Sequence, residues 1–261
     1  MATTATVTTF EEPNKATSNF QDLDEQALRT QLAAAYRIVD YFGWSMLIFG
    51  HITVRIPGPE RHFLINPFGL MFHEITASNL VKIDLDGNLI GDNERPTNPA
   101  GFVIHSAIHA AREDVKCVFH THTRDGMAVA ALADGLNRSD FGGASLYNRV
   151  AYHDFEGLTV RMDERERLVQ SLADKNLMIL RNHGLLSCGD TIAEAFLRLH
   201  TLQTACEVQI AARATGVRLL EPSPEVCELH AASLDSGHQA PDLVFAALMR
   251  LMDQRDPSYR N

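Results

Sequence analysis

The stretch Val115-Lys116-Cys117-Val118-Phe119-His120-Thr121-His122 decides how this chain is read. A short apolar run ends in two histidines one residue apart. In a strand, residues i and i+2 point to the same face, so His120 and His122 can aim both imidazoles at one point. A third histidine follows another apolar run, Leu177-Met178-Ile179-Leu180, in the block Arg181-Asn182-His183-Gly184. If the fold brings His183 to the pair, three imidazoles form a site with open positions, as catalytic metal sites require. The chain has twelve histidines, so some close pairs arise by chance, and a lone histidine beside a strand is more often a surface or core residue.

Working outward, the 261 residues suit one large domain or two small ones and are ample for a buried core. A hydrophobic share of 45% with 21% charged residues excludes a wholly disordered chain. The formal charge of -10, a pI near 5.6 and the lack of a Lys/Arg run speak against a nucleic-acid partner. The four cysteines, Cys117, Cys188, Cys206 and Cys227, form no Cys-x-x-Cys pair and are expected to be free thiols. No signal-peptide pattern opens the chain and no apolar stretch is long enough to span a bilayer, so no membrane partner and a cytoplasmic setting are expected.

Residues 1–22 lack apolar periodicity and are expected to form a flexible tail, with residues 23–261 as a single domain. Leu28, Leu32, Ala35, Ile38 and Val39 predict a helix from near Asp24 to Phe42, stopped by Gly43. Strands are expected at 52–56, bounded by Pro57-Gly58-Pro59, at 62–65 and at 81–85, the last turning through Asp86-Gly87 into a return at 88–90. A helix over 101–112 precedes the histidine strand. Helices are also expected over 125–133, 163–172, 191–214 (with Asp190 as a plausible N-cap) and 241–252, and a strand over 147–152. The Pro/Glu/Ser-rich stretch after Gly216 reads as a loop.

Four blocks resemble the class II aldolase/adducin family: Phe49-Gly50-His51-Ile52-Thr53-Val54-Arg55; Ile65-Asn66-Pro67-Phe68-Gly69 followed by Glu74-Ile75-Thr76; Val115 to Thr123; and Leu180 to Gly189. Together with the long helix after Asp190, the resemblance covers roughly residues 25–215. It implies a three-layer α/β/α fold around a largely antiparallel sheet, and a cyclic homotetramer with active sites between subunits. It also implies metal ligation by His120, His122 and His183, with Glu74 as the acid/base carboxylate. Adducin-like members often lose the metal ligands, whereas this chain keeps all three. A divalent cation held by three neutral imidazoles, zinc foremost and manganese or iron as alternatives, can polarise a carbonyl and stabilise an enediolate. A carboxylate nearby can move the proton.

The chain departs from the sugar-phosphate members of that family. They carry Gly-Asn in the first block and small hydroxyl or glycine residues in the second, where amides and hydroxyls hold phosphate. Here Gly50-His51 and Pro67-Phe68 stand in those places; proline has no N–H to give, and the phenyl ring fills space. His51 and Phe68 therefore suit a non-phosphorylated aromatic or carboxylated small molecule. Arg124 shares the face of His122 if the strand continues, and could pair with a substrate carboxylate; an ordinary surface arginine paired with Asp125 or Glu113 is the alternative. Tyr152 and His153 could donate a proton, or equally cap a strand end. His105 and His109, at i and i+4 on one helix, read as packing near the site and as incidental, respectively. Three functions follow: a C–C lyase performing aldol cleavage or decarboxylation, a non-haem iron oxygenase, and an inactive adducin-like interaction module.

Overall fold

The computed structural model describes residues 23–91, 95–158, 161–235 and 240–261. The expected tail over residues 1–22 lies outside the described residues. In chain order the elements are α1 (Glu25–Tyr41), β1 (His51–Arg55), β2 (Phe63–Ile65), a 3-10 turn (Phe72–Glu74), β3 (Val81–Ile83), α2 (Pro99–Ala111), β4 (Cys117–Thr121), α3 (Arg124–Ala130), α4 (Phe141–Ser145), β5 (Val150–His153), α5 (Glu164–Leu172), β6 (Leu177–Leu180), β7 (Gly184–Gly189), α6 (Ile192–Ala214), α7 (Pro224–Asp235), α8 (Ala240–Arg255) and a closing 3-10 turn (Pro257–Arg260).

Among the described residues seven strands make one sheet in the order β3-β2-β1-β4-β7-β6-β5. Neighbours are antiparallel except β5 and β6, whose parallel pairing is reached through α5. β4, which carries the histidines, lies at the centre, flanked by β1 and β7.

Alternation along the strands splits the core into two layers. Ile52, Val54, Phe119, Ile179 and Leu185 face one side, under Leu28, Leu32 and Ile38 of α1 and Phe196, Leu199 and Leu202 of α6. Val118, Met178, Leu180, Leu186 and Cys188 face the other, under Ile104 and Ile108 of α2 and Leu168 and Leu172 of α5. The result is the expected three-layer α/β/α arrangement, with both sheet faces dry. Burying a side chain such as Phe119 or Phe196 contributes about 1.5–3 kcal/mol. Cys117 and Cys188 are free and buried, as expected, and so are Cys206 and Cys227.

Two local expectations are corrected. The stretch after Gly216 contains α7, because Pro224 is at the first helical position, where its missing N–H costs nothing, and Ser223 offers its carbonyl to Cys227 N–H. Cys227 and Ala231, four apart, are its buried contacts. The N-cap of α6 is Thr191, not Asp190: its hydroxyl accepts the Glu194 N–H at 3.1 Å. The Asp86-Gly87 turn is found as expected: Leu89 bridges Ile83, Ile90 N–H donates to the Lys82 carbonyl at 2.9 Å, and the Asp84 carboxylate holds the turn through the N–H groups of Asp86 and Asn88.

Candidate metal centre

His120 is the fourth residue of β4, in register with His51 of β1 and Leu186 of β7. Alternation places it on the α2 side of the sheet, beyond Val118. β4 ends at Thr121, and His122 lies one residue past it. The chain then turns at Thr123, whose hydroxyl caps α3 by accepting the Gly126 N–H at 3.2 Å and donates to Gln203 Oε1 at 2.5 Å. His183 sits in the tight β6–β7 connection. Asn182 before it takes φ +54°, a left-handed conformation that asparagine tolerates better than most residues, and its N–H donates to the Ala130 carbonyl at 3.1 Å. Gly184 after it is required by space: a Cβ there would lie 2.4 Å from the Thr121 carbonyl oxygen and 3.1 Å from His122 Cδ2. Asparagine and glycine thus flank the ligand for two different physical reasons.

The three rings converge. His120 Nε2 and His122 Nε2 are 2.8 Å apart, His122 Nε2 and His183 Nε2 are 2.9 Å apart, and the candidate ligand atoms all lie within 4.8 Å of one another. His120 Nδ1 is 2.9 Å from the Leu185 carbonyl, an acceptor that requires an N–H there. This fixes the tautomer and leaves the His120 Nε2 lone pair aimed at the other two rings, the arrangement that orients histidine ligands generally. Burial, reinforced by repulsion from neighbouring imidazoles, holds the His120 pKa well below its ordinary value; His122 is lowered to about 4, and burial lowers His183. All three are therefore neutral at pH 7. Facing nitrogen lone pairs repel unless a proton or a cation lies between them, and an all-imidazole donor set suits a divalent ion of the zinc, manganese or iron kind. The residues present fit a metal, which His120, His122 and His183 would hold.

The other expected residues divide. His51 is drawn to the triad, its ring centroid 5.0 Å from that of His120, but it is buried, and its Nδ1 contacts His105 Nε2 at 2.8 Å. Glu74 ends the first 3-10 turn, exposed, with Oε2 accepting the Met71 N–H at 2.7 Å. It is outside the three-histidine group. His73 points elsewhere, into a small cleft with Arg37, Tyr41 and Arg255. Phe68 is partly buried, its ring 6.5 Å from Phe49.

The expectations for Arg124 and His109 are corrected. Arg124 does not share the face of His122, because the strand stops and Thr123 starts α3; its side chain is 91% exposed and pairs with Asp125 at 3.4 Å. Tyr152 has structural duties within its own chain: its hydroxyl accepts the Leu136 N–H at 3.0 Å, and the Arg181 guanidinium stacks 4.2 Å over its ring. His153 is likewise structural, buried against Ser171 (2.9 Å) and Glu164 (3.4 Å) of α5. His109 is not incidental. It is fully buried and contacts Thr53, a residue that sequence reasoning passed over. The available signal was the strand alternation itself, which sets His51, Thr53 and Arg55 on one face.

The sequence model described as "Class II Aldolase and Adducin N-terminal domain" matches residues 30–210. This chain belongs to the class II aldolase and adducin family. A solved aldolase II superfamily protein from Pseudomonas syringae is 46% identical with a TM-score of 0.87, over 91% of this chain and 96% of that one. The L-fuculose 1-phosphate aldolase from Glaciozyma antarctica is 30% identical with a TM-score of 0.81, over 96% and 97%. Alpha-adducin of Rattus norvegicus is 42% identical over 248 residues, which cover 89% of this chain and 34% of the adducin. Family membership supports a metal-dependent aldolase-type role. No helix among the described residues is long and apolar enough to cross a membrane.

Proposed function

We propose that this protein is a divalent-metal-dependent lyase that breaks a C–C bond, by aldol cleavage or decarboxylation, in a non-phosphorylated keto or hydroxy acid, aromatic acids included. The observation that carries the reading is the convergence of three neutral imidazoles on one point, with the tautomer of His120 fixed by the Leu185 carbonyl. A bound divalent cation supplies Lewis acidity toward a carbonyl oxygen. The chain's own residues supply the rest. Glu74 is the proton carrier: Met71 N–H holds Oε2 and so orients the carboxyl, leaving the second oxygen free. Phe68 and the adjoining Pro67 give the substrate an apolar wall without phosphate-binding N–H groups. His51 lies behind His120 on the same sheet face, as a polar contact for the substrate's acid group. Glu74 is exposed in the single chain, which accords with a cyclic homotetramer whose subunits close the site between them.

A second reading is supported by one observation. The chain is more alike in sequence to rat alpha-adducin, at 42%, than to the Glaciozyma aldolase, at 30%, which favours an interaction module without catalysis. Retention of the three histidines favours the enzyme. The deciding experiment is elemental analysis of protein purified without added metal, followed by assay against matched phosphorylated and unphosphorylated keto and hydroxy acids. The lyase reading expects close to one metal per chain, faster cleavage of the unphosphorylated compounds, and a drop of about 10²-fold or more in turnover for Glu74→Gln with metal retained. Metal-free, inert protein supports the module. Preference for sugar phosphates overturns the substrate assignment, and stoichiometric iron with oxygen consumption points to an oxygenase.

A further inference from the structure

A row of polar side chains lies buried between β1 and α2. His51 Nδ1 is 2.8 Å from His105 Nε2, His105 Nδ1 is 2.7 Å from Thr53 Oγ1, and Thr53 Oγ1 is 2.8 Å from His109 Nε2. His51 is 2% exposed and the other three are fully buried. All three rings are buried and none contacts a carboxylate among the described residues, so each is neutral and carries one ring proton. The string ends beside the triad, since His51 is the cross-strand partner of His120. Gly101 of α2 leaves the room that the His51 ring fills: a Cβ there would lie 2.5 Å from Cδ2.

Donor and acceptor counting allows this string only two states. Thr53 has one hydroxyl proton, and its only hydrogen-bond partners among the described residues are two ring nitrogens, so it donates to one and accepts from the other. If it donates to His105 Nδ1, then His109 carries its proton on Nε2, His105 on Nε2 and His51 on Nε2. If it donates to His109 Nε2, all three carry the proton on Nδ1. One hydroxyl therefore forces three imidazoles into a common tautomer. The far end selects between the states. His109 Nδ1 is buried and makes no hydrogen bond among the described residues. A buried N–H without an acceptor is the rarer and costlier defect, whereas a bare ring nitrogen is tolerated more readily. The Val115 carbonyl lies near His109 and draws a proton toward it, but it is not in hydrogen-bonding geometry with Nδ1.

We propose that Thr53, His105 and His109 are positioning residues that lock His51 as the Nε2–H tautomer, so that His51 presents a fixed N–H donor to an anionic oxygen, a carboxylate or oxyanion, of a substrate held at the triad. His51 Nε2 has no hydrogen-bond partner among the described residues and is the free string nitrogen at the end beside the triad. This rests on the reading of the triad as a substrate-binding metal site, but the tautomer claim stands apart from it. The acceptor alternative would instead suit a substrate hydroxyl.

The test is long-range 15N–13C NMR of the imidazoles in zinc-loaded protein labelled with 15N and 13C, on wild type, Thr53→Val and Thr53→Ser. The proposal expects the Nε2–H pattern for His51, His105 and His109 together. It expects this common pattern to break in Thr53→Val, which keeps the shape without the hydroxyl, and to return in Thr53→Ser. Mixed tautomers in wild type, or a common Nδ1–H pattern, overturn it. A lyase assay adds a split between kinetic constants: Thr53→Val should raise KM for a carboxylate substrate about tenfold with unchanged zinc content, while its ratio of KM for the acid to KM for the corresponding amide rises from below one toward one. If no lyase activity exists, the NMR result still decides the tautomer, so the two failures are distinguishable. If Thr53→Val unfolds, His109→Gln gives the second break, and a wild-type His51 pattern there counts against the string.

Discussion

Gly184→Ala is the sharpest perturbation available, because it tests why the residue after His183 is a glycine. In the structure an added Cβ meets the Thr121 carbonyl oxygen at 2.4 Å, whereas ordinary contact begins near 3.4 Å. The obstruction is backbone, so β7 and the end of β4 must part by about 1 Å. The same Cβ would sit 3.1 Å from His122 Cδ2 and 3.4 Å from His120 Cε1, so the movement falls on two of the three ligands. Metal sites hold their distances to within about 0.2 Å, and disturbing the groups that orient ligands typically costs 10–100-fold in affinity. Forcing a methyl group into a packed interior costs about 1–3 kcal/mol. Gly184→Ala should therefore fold, with a lowered Tm, and bind zinc about 10–100-fold more weakly in competition against a chromophoric chelator. Wild-type zinc affinity with an unchanged Tm would refute the claim that the β4–β7 approach sets the triad.

Three further outcomes follow from particular contacts. His183→Ala should reduce bound metal to a small fraction of one per chain by elemental analysis while leaving the far-UV circular dichroism unchanged, since His183 sits in a turn and not in either core layer; full metal content would assign ligation elsewhere. His109, lowered from 6.5 to about 3 by burial, stays neutral in the folded chain and protonates in the unfolded one, so its contribution is intact above pH 6.5 and is lost as pH falls from 6.5 toward 3, at up to about 1.4 kcal/mol per pH unit. Urea unfolding from pH 7 to 4 should show stability falling, with a shallower slope in His109→Gln; equal slopes would reject the assignment. Arg37 ties the Glu74 loop to the closing turn, donating to the Ile75 carbonyl at 3.0 Å, to Asp256 at 3.1 Å and to Ser258 at 3.2 Å. Arg37→Ala should lower turnover with metal retained, Arg37→Lys should restore part of it, and loss of metal in Arg37→Ala would contradict the separation between that loop and the triad.

Much of the fold was legible from periodicity. The apolar spacing of α1 and the apolar strands around the histidines describe elements whose buried faces repeat in sequence, so their positions survived within a few residues. The first helix is capped by Asp24 through the Ala27 N–H at 2.7 Å. The triad was legible because a strand aligns i and i+2 regardless of what surrounds it, and because the His183 block stands after an apolar run. What failed was reasoning that extended local geometry past an element's end. Arg124 was aligned with His122 by assuming that the strand continued, whereas a threonine cap redirects the chain. Composition misjudged α7, where proline and serine start a helix rather than break one.

The sequence by itself determined the donor chemistry: three imidazoles, a carboxylate, and an apolar pair where phosphate-binding groups would be needed. It also determined the strand alternation that puts His51, Thr53 and Arg55 on one face. Only the tertiary structure decided which of these meet. The β1–β4–β7 register sets His51 beside His120 and brings the Leu185 carbonyl to Nδ1; the β6–β7 turn swings His183 across 61 residues of chain to within 2.9 Å of His122. α2 then lays His105 and His109 over Thr53. These contacts join residues far apart in sequence, and no local pattern encodes a hydrogen bond whose two ends are brought together by sheet register and helix packing.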